Sequence, residues 1–336
     1  MTLNKAVGYM GVAIQSARGT AASAAQFKFP IYSGDIFPSR SLNEDRMASA
    51  SRNQSDPYID GISVDVEFET KAYVGLFVML MQAVMGTRNT SGASDPYSHA
   101  ISTGASLPYL TFFISKGPSD AHRSSAQDVK LDALDVTWGA PGAVRLKVTG
   151  KGTQCDMTAA DFDNSAVSET DATGYFTTIG ATLQYDAVGT TAADIICPSG
   201  GIRFENSLIP VGHAAQLAPY DHDEDLLAVG FDLSVNADNL NDVIEIITGS
   251  SSGSNPTGDV QFGKANIVLQ EAGTGTHTAT FTASRVPWEV APAGVDGGNR
   301  QTTLEMTGAA RYNATESDAL DVTITNGHAG TVYAAA

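Results

Sequence analysis

The sequence has few of the residues that mark secreted or membrane-spanning proteins. Its two cysteines, Cys155 and Cys197, are too few for a disulfide framework, and their spacing leaves open whether they lie close together. The longest apolar run, residues 73–85, falls short of the ~18 residues that cross a bilayer. The first residues contain one lysine and no long apolar core, so we expect no signal peptide, no membrane contact and a cytoplasmic origin.

Positive charge is also scarce. Lys and Arg together number 19 against 37 Asp and Glu, which gives a net charge of −18. Because phosphates are held by Lys and Arg, this balance argues against tight binding of nucleic acid. Two explanations remain open: the charge serves solubility alone, or it forms a surface past which DNA slides because like charges repel.

Several motifs of common catalytic and metal sites are missing as well. The sequence contains no H-E-x-x-H, no C-x-x-C and no glycine loop ending in Gly-Lys-Ser/Thr. The acidic segment Pro219–Asp225 lacks the spacing of an EF-hand, which favours a solvated loop over a metal site. We therefore expect no catalytic residue, no metal, no cofactor and no enzymatic activity.

What the sequence does contain predicts a mainly β protein with a few short helices. Glycine is frequent, with 33 residues, and turn-forming residues separate many short apolar segments. The clearest strand is 62–69, where apolar residues alternate with Ser63, Asp65, Glu67 and Glu69. A second alternating strand, 227–235, places Asp232 on its polar face.

Further elements follow from caps and turns. Thr70 is predicted to cap a helix over 71–85 that Gly86 ends, and Asp238 or Asn239 to cap a second helix that ends near Gly249. The polar segment 33–61 is predicted to be a loop. The remaining predicted strands span 27–32, 107–115, 202–209, 260–270, 277–286, 302–312 and 320–325, and a hairpin joins 129–138 to 143–150.

The strand-to-helix unit recurs about 165 residues later, which is either a duplication or a chance similarity of pattern. The predicted organisation is an N-terminal arm (1–25), a first β domain (26–150), a connector or inserted hairpin (151–195), a second β domain (196–330) and a C-terminal tail (331–336).

Several segments resemble one family, the tail tube proteins (major tail proteins) of long-tailed, non-contractile phages. The segment Gly11-Val-Ala-Ile-Gln-Ser-Ala-Arg-Gly-Thr-Ala-Ala and the following Phe27-Lys-Phe-Pro-Ile are similar to its opening, G-x-x-x-Q-x-A-x-G-T-A before the first strand. The helix ending in Met85-Gly86, the region of His99, Leu107-Pro-Tyr-Leu-Thr and the close, Ala319-Leu-Asp-Val-Thr-Ile-Thr-Asn, are also similar. The likeness is weakest over 151–193.

This resemblance implies a β-sandwich or barrel domain with a flanking helix, assembled into stacked rings around a channel through which DNA leaves the virion. It implies a homo-oligomer that meets a tape measure protein, a tail terminator and baseplate or distal tail proteins, assembled in the host cytoplasm and located in the virion. With two domains per chain, a ring of six domain positions needs three chains, and with one domain it needs six.

Two further expectations concern particular residues of the proposed channel and subunit contacts. Asp65, Glu67, Glu69 and Asp232 are expected to line the channel, with external solvent as the alternative for these acids. Arg18, Arg40, Arg46 and Arg52 are expected to contact neighbouring subunits, because bases in an acidic protein often pair across interfaces. The alternative functions are a capsid decoration or other virion structural protein, and a β-sandwich carbohydrate-active enzyme, which would need paired carboxylates.

Overall fold

The computed structural model describes residues 8–43, 58–116, 123–139, 141–157, 166–170, 173–188, 193–195, 197–212, 216–237, 241–250, 253, 255, 258–273, 275–290, 302–316 and 318–335. These residues form a mainly β protein with two α-helices, as predicted. The strands of the first half are β1 (Tyr9–Ile14), β2 (Phe27–Pro30), β3 (Ser33–Asn43), β4 (Tyr58–Lys71), β5 (Gly86–Ser91), β6 (Tyr97–Thr103), β7 (Leu110–Ser115), β8 (Arg123–Gly139), β9 (Arg145–Gly152), β10 (Gln154–Asp156) and β11 (Val167–Ser168). The later strands are β12 (Phe176–Asp186), β13 (Ala193–Asp194), β14 (Ser199–Glu205), β15 (Ile209–Val211), β16 (Asp221–Asp223), β17 (Ala228–Ala237), β18 (Gly263–Glu271), β19 (Thr278–Val286), β20 (Trp288–Val290), β21 (Thr302–Ala309) and β22 (Asp321–Asn326). The helices are α1 (Val74–Met85) and α2 (Asn241–Thr248), and a 3-10 helix spans Gly330–Tyr333.

The larger of the two main sheets has 13 strands and branches at β8. This strand is 17 residues long, enough to pair with different neighbours along its length. Its beginning pairs with β7, which continues into β1, β2 and β11. Its end lies between β9 and β14, so that β3, β4, β9, β8, β14, β17, β21 and β20 form one continuous run of eight strands.

The second sheet has seven strands in the order β13-β12-β18-β19-β22-β6-β5. It joins the two halves of the chain, since β6 pairs with β22 through Ile101 and Val322. A separate two-stranded sheet contains β15 and β16.

Helix α1 lies between the two main sheets and forms the centre of the core. Of its twelve residues only Gln82 is not buried, because the helix packs against β2 and β8 on one side and β5, β6 and β22 on the other. Phe77 meets Phe176 and Phe281, with ring centroids 5.6 and 6.1 Å apart. Fully burying side chains of this size stabilises a fold by roughly 1.5–3 kcal/mol each. In the described part of the chain, no helix is both long and apolar enough to cross a membrane.

The ends of α1 were predicted with mixed success. Gly86 follows the last helical residue at φ 104°, a conformation that favours glycine, as predicted. The expected cap at Thr70 is wrong, because Thr70 is still in β4, and its hydroxyl donates to the Pro30 carbonyl. The helix begins at Val74 after Tyr73, whose side chain makes no capping hydrogen bond.

Two segments without a clear alternating pattern are strands. Residues 33–43, predicted as loop, form β3 and pair with β4 along its whole length. Tyr9–Ile14, assigned to the predicted arm, lie between β2 and β7 with five of six residues buried.

Within the predicted connector 151–195, β12 pairs with β18 in the second sheet. Helix α2 matches the second predicted helix, and its expected caps, Asp238 and Asn239, lie outside the described residues.

The recurring unit occupies similar positions in both halves of the chain. β4 and β17 belong to the larger sheet, each is followed by a helix, and the next strands, β5 and β6 or β18 and β19, belong to the second sheet. The duplication remains a prediction.

Candidate functional site

The four predicted lining acids lie on one face of the eight-strand run. On β4, Val64, Val66 and Phe68 face the core, so Asp65 and its alternating neighbours face outward. Residues directly opposite each other in a sheet share a face, and the rows of opposed residues extend from strand to strand. One row contains Glu69, Lys147, Asp135 and Arg203, and the adjacent row contains Arg145, Thr137, Gly201 and Asp232.

We call this surface the charged face. Its charged residues are Asp35 on β3; Asp65, Glu67, Glu69 and Lys71 on β4; Arg145, Lys147 and Lys151 on β9; Asp135 on β8; Arg203 and Glu205 on β14; Asp232 on β17; Glu305 on β21; and Glu289 on β20. Nine are acids and five are bases, so the face carries net negative charge. The bases were missed as candidates, although Arg145, Lys147 and Lys151 alternate in the sequence just as the acids of β4 do.

The bases of β9 and β14 form ion pairs with carboxylates of neighbouring strands. Arg145 Nη1 lies 2.9 Å from Glu69 Oε1, and Lys147 Nζ lies 3.2 Å from Glu67 Oε1. Arg203 bridges two carboxylates, at 3.6 Å from Asp135 Oδ1 and 3.4 Å from Glu205 Oε2.

The remaining charges of this face have different partners. Lys151 reaches Asp132 Oδ2 at 3.4 Å, and Lys71 Nζ lies 4.8 Å from the centre of the Tyr175 ring. Glu305 Oε1 accepts a hydrogen bond of 2.9 Å from the Ser234 hydroxyl. Burial raises the pKa of Asp135 above its ordinary value, and the nearby positive charge of Arg203 only partly offsets this. On β17, β21 and β20 the charged face contains acids and no bases. These last strands of the run are therefore its more acidic part.

The predicted contact arginines fall in different places. The Arg18 guanidinium lies 3.4 Å above the Tyr220 ring and 4.0 Å from Asp221, so it contacts its own chain. Arg40 is exposed on β3, opposite Ile62, beyond the point where β9 stops pairing with β4. Arg46 and Arg52 lie outside the described residues.

The acidic segment 221–225 surrounds a buried lysine. Lys130 Nζ lies 2.9 Å from Glu224 and 3.3 Å from Asp221, and donates to the His222 carbonyl at 2.7 Å. Burial alone would raise the pKa of Asp221, but hydrogen bonds from Tyr109 and the His222 amide, with the Lys130 charge, hold it below its ordinary value. Part of the predicted solvated loop is therefore strand β16. Across the described residues, no group of three or more His, Cys, Asp and Glu is arranged to hold a metal.

A second buried polar cluster lies at the beginning of α1. Tyr333 donates to the Gly75 carbonyl at 3.1 Å, and Asn326 links Tyr333 to His99. Burial raises the pKa of Glu169 to about 7, although hydrogen bonds from Thr173 and the Leu76 backbone act in the opposite direction. These contacts attach the end of the chain to the central helix.

Beyond β9, the strands β3 and β4 continue as a two-stranded ribbon. In this ribbon Arg40 lies opposite Ile62 and Asn43 lies opposite Tyr58. The side chains of Leu42 and Tyr58 are exposed. The Ile62 amide donates to the Leu217 carbonyl at 2.9 Å, which supports the base of the ribbon.

Comparison with known proteins identifies no relative: the sequence matches no family model, and no curated protein aligns with it significantly.

Proposed function

We propose that this chain is the tail tube subunit of a long, non-contractile phage tail, with the charged face lining the channel. The observation that carries the proposal is the continuous eight-strand run. On it, acids from both halves of the chain, Glu69 and Asp232 among them, share one outward face. A lining built this way presents net negative charge to passing DNA and repels it.

The width of the run supports a ring of three chains. Neighbouring strands are ~4.8 Å apart, so eight strands span roughly 38 Å of arc, and three chains close a circle about 37 Å across. Strand tilt of ~40° widens this to about 48 Å. Side chains narrow the opening, which still admits a DNA duplex. Six chains would double the diameter, far beyond what a duplex needs.

The ends of the run are suited to closing that ring. Among the described residues, β3 pairs only with β4 and β20 pairs only with β21. Exposed strand edges pair readily with another chain, and head-to-tail contacts close into a ring when the rotation allows. In the proposed assembly, β3 of one subunit lies beside β20 and β21 of the next, while the ribbon and Arg40 contact a neighbouring subunit.

The resemblance to tail tube proteins supplies the rest of the proposed assembly. Rings stack in the host cytoplasm around a tape measure protein, a terminator and a distal tail protein cap the tube, and DNA passes through without specific binding. In this proposal the chain is structural and has no catalytic role.

Negative-stain and cryo-electron microscopy of the purified protein test the assembly. We expect rings or tubes with a central hole, and class averages with threefold symmetry and six similar lobes. Monodisperse monomers at high concentration, or filaments without a hole, would refute the proposal.

A labelling experiment tests which face lines the channel. In a Cys155→Ser, Cys197→Ser background, we would introduce Asp232→Cys on the charged face and, as the matched control, Thr323→Cys at an exposed position of β22. A maleimide coupled to a large polyethylene glycol should label both variants before assembly, but only Thr323→Cys in assembled tubes. Equal labelling of Asp232→Cys in tubes would place the charged face outside.

A further inference from the structure

The charged face contains bases that an acidic lining for DNA does not need. Arg145, Lys147 and Arg203 point outward with more than half of each side chain exposed. Exposed bases on neighbouring strands would bind phosphates, since Lys and Arg contacts to phosphate supply most of non-specific DNA binding. Their presence therefore requires a physical reason.

Sheet pairing supplies that reason for Lys147 and Arg203. Like charges directly opposite each other on neighbouring strands destabilise a sheet, and opposite charges stabilise it. The row through Glu69, Lys147, Asp135 and Arg203 alternates in sign across four successive strands. With acids on β4 and β8, the strand between them has to carry bases for this row to be favourable.

In the part of the chain that the structure describes, each base of this face already has a partner. Four bases lie within 3.6 Å of a carboxylate, and Lys71 lies over the Tyr175 ring. Glu67 and Glu69 hold the two most exposed bases of β9, and Asp135 with Glu205 holds Arg203 from two sides. A phosphate approaching any of the four ion-paired bases must displace a carboxylate that is already in place.

We propose that Glu67, Glu69, Asp135 and Glu205 are masking residues, whose role is to keep the bases of the charged face from binding the phosphates of DNA. This inference rests on the proposed function and deepens it. The face resists adhesion because of where its carboxylates lie, and net charge alone does not account for it. Removing a masking carboxylate frees a base, whereas removing another acid of the same face frees none.

The chain offers a charge-matched comparison. Glu67→Gln with Glu69→Gln removes two negative charges and frees Lys147 and Arg145. Asp232→Asn with Glu305→Gln also removes two negative charges, but Glu305 bonds Ser234, a neutral partner. If net charge controlled adhesion, the two double variants would behave alike.

Fluorescence anisotropy with a labelled DNA duplex measures the difference. Wild type and the Asp232, Glu305 variant should not bind, whereas the Glu67, Glu69 variant should bind. Two freed bases give a slope of about −2 for log affinity against log salt, so binding should weaken about tenfold between roughly 50 and 200 mM salt. Equal binding by both double variants, or no binding by either, would overturn the inference.

A rescue variant separates masking from misfolding. Adding Arg145→Gln and Lys147→Gln to the Glu67, Glu69 variant removes the freed bases and should abolish DNA binding, while circular dichroism confirms that all variants keep the β fold. Binding that persists without those bases would also overturn the inference. Electron microscopy of the same proteins tests tube formation separately. Wild type that forms no tubes refutes the proposed function. Wild type that forms tubes, with equal DNA binding by the two double variants, refutes only the masking role.

Discussion

The carboxyl group of Glu169 should give the stability of this protein a pH dependence that one substitution removes. Glu169 is buried beside the first turn of α1, where a side chain at Gly75 would collide with Glu169, Phe27 and His328. Burial raises the pKa of Glu169 from 4.5 to about 7 in the folded protein. The folded state therefore holds this proton more tightly than the unfolded chain does.

The sign and size of the effect follow from linkage. A raised carboxyl pKa favours folding below the unfolded value, and this stability is lost as pH rises through the folded value. At ~1.36 kcal/mol per pKa unit, a rise from 4.5 to about 7 corresponds to roughly 3 kcal/mol in total. About 2.5 kcal/mol of this should be lost between about pH 5 and about pH 8.

Glu169→Gln removes the charge and keeps an oxygen that accepts a hydrogen bond from the Leu76 backbone. Urea unfolding of wild type and variant, across that pH range, measures the free-energy difference between them. Other titrating groups, such as His328, whose pKa burial lowers, are present in both proteins and largely cancel. The variant should gain on wild type as pH rises. A difference that stays constant with pH would refute the reasoning, and Glu305→Gln provides the matched substitution at an exposed strand position.

Two further substitutions test the buried ion pairs of Lys130 and the end of α1. Lys130→Met leaves Asp221 and Glu224 without their buried base and should cost about 3–5 kcal/mol in urea unfolding, whereas Lys147→Met, at an exposed pair, should cost at most ~1 kcal/mol. A small loss for Lys130→Met would contradict the assigned pairing. Gly86→Ala forces a side chain into φ 104° with its Cβ 2.8 Å from the Ser106 carbonyl, and should cost about 1–3 kcal/mol by thermal unfolding, whereas Gly139→Ala, which meets nothing within 4 Å, should be nearly neutral. Equal effects of the two glycine substitutions would show that α1 can end without a glycine.

The sequence predicted best where one face of a strand is buried. Alternation over 62–69 identified β4 and assigned its faces correctly, because Val64, Val66 and Phe68 pack against the core. It failed for β3, an edge strand whose residues 38–43 are all exposed, so no alternation of buried and exposed residues marks it. The prediction for Tyr9–Ile14 failed for the opposite reason. Almost every residue of this strand is buried, so no alternation of apolar and polar residues distinguishes it from an extended arm.

The candidate site was predicted in part. Glu69 and Asp232 are placed on one face by the register of four strand pairs, from β4 to β17. The sequence alone does not indicate which strands become neighbours. Lys130 looked like an ordinary strand residue because its partners, Asp221 and Glu224, follow some 90 residues later. Thr70 had the residue type of a cap, but tertiary pairing with Leu146 keeps it in β4.

The position of α1 has a consequence during synthesis of the chain. The helix is apolar on every side, and its cover includes β22 and Tyr333, close to the end of the sequence. The roughly 250 residues between Met85 and Tyr333 take on the order of 10–50 s to translate at about 5–20 residues per second. For that time the cover of α1 is incomplete in each nascent chain, and chaperones and proteases can act on the apolar surface that is still exposed. Chains that stop short of Tyr333 keep part of this apolar surface exposed, so the cell can recognise and clear incomplete chains.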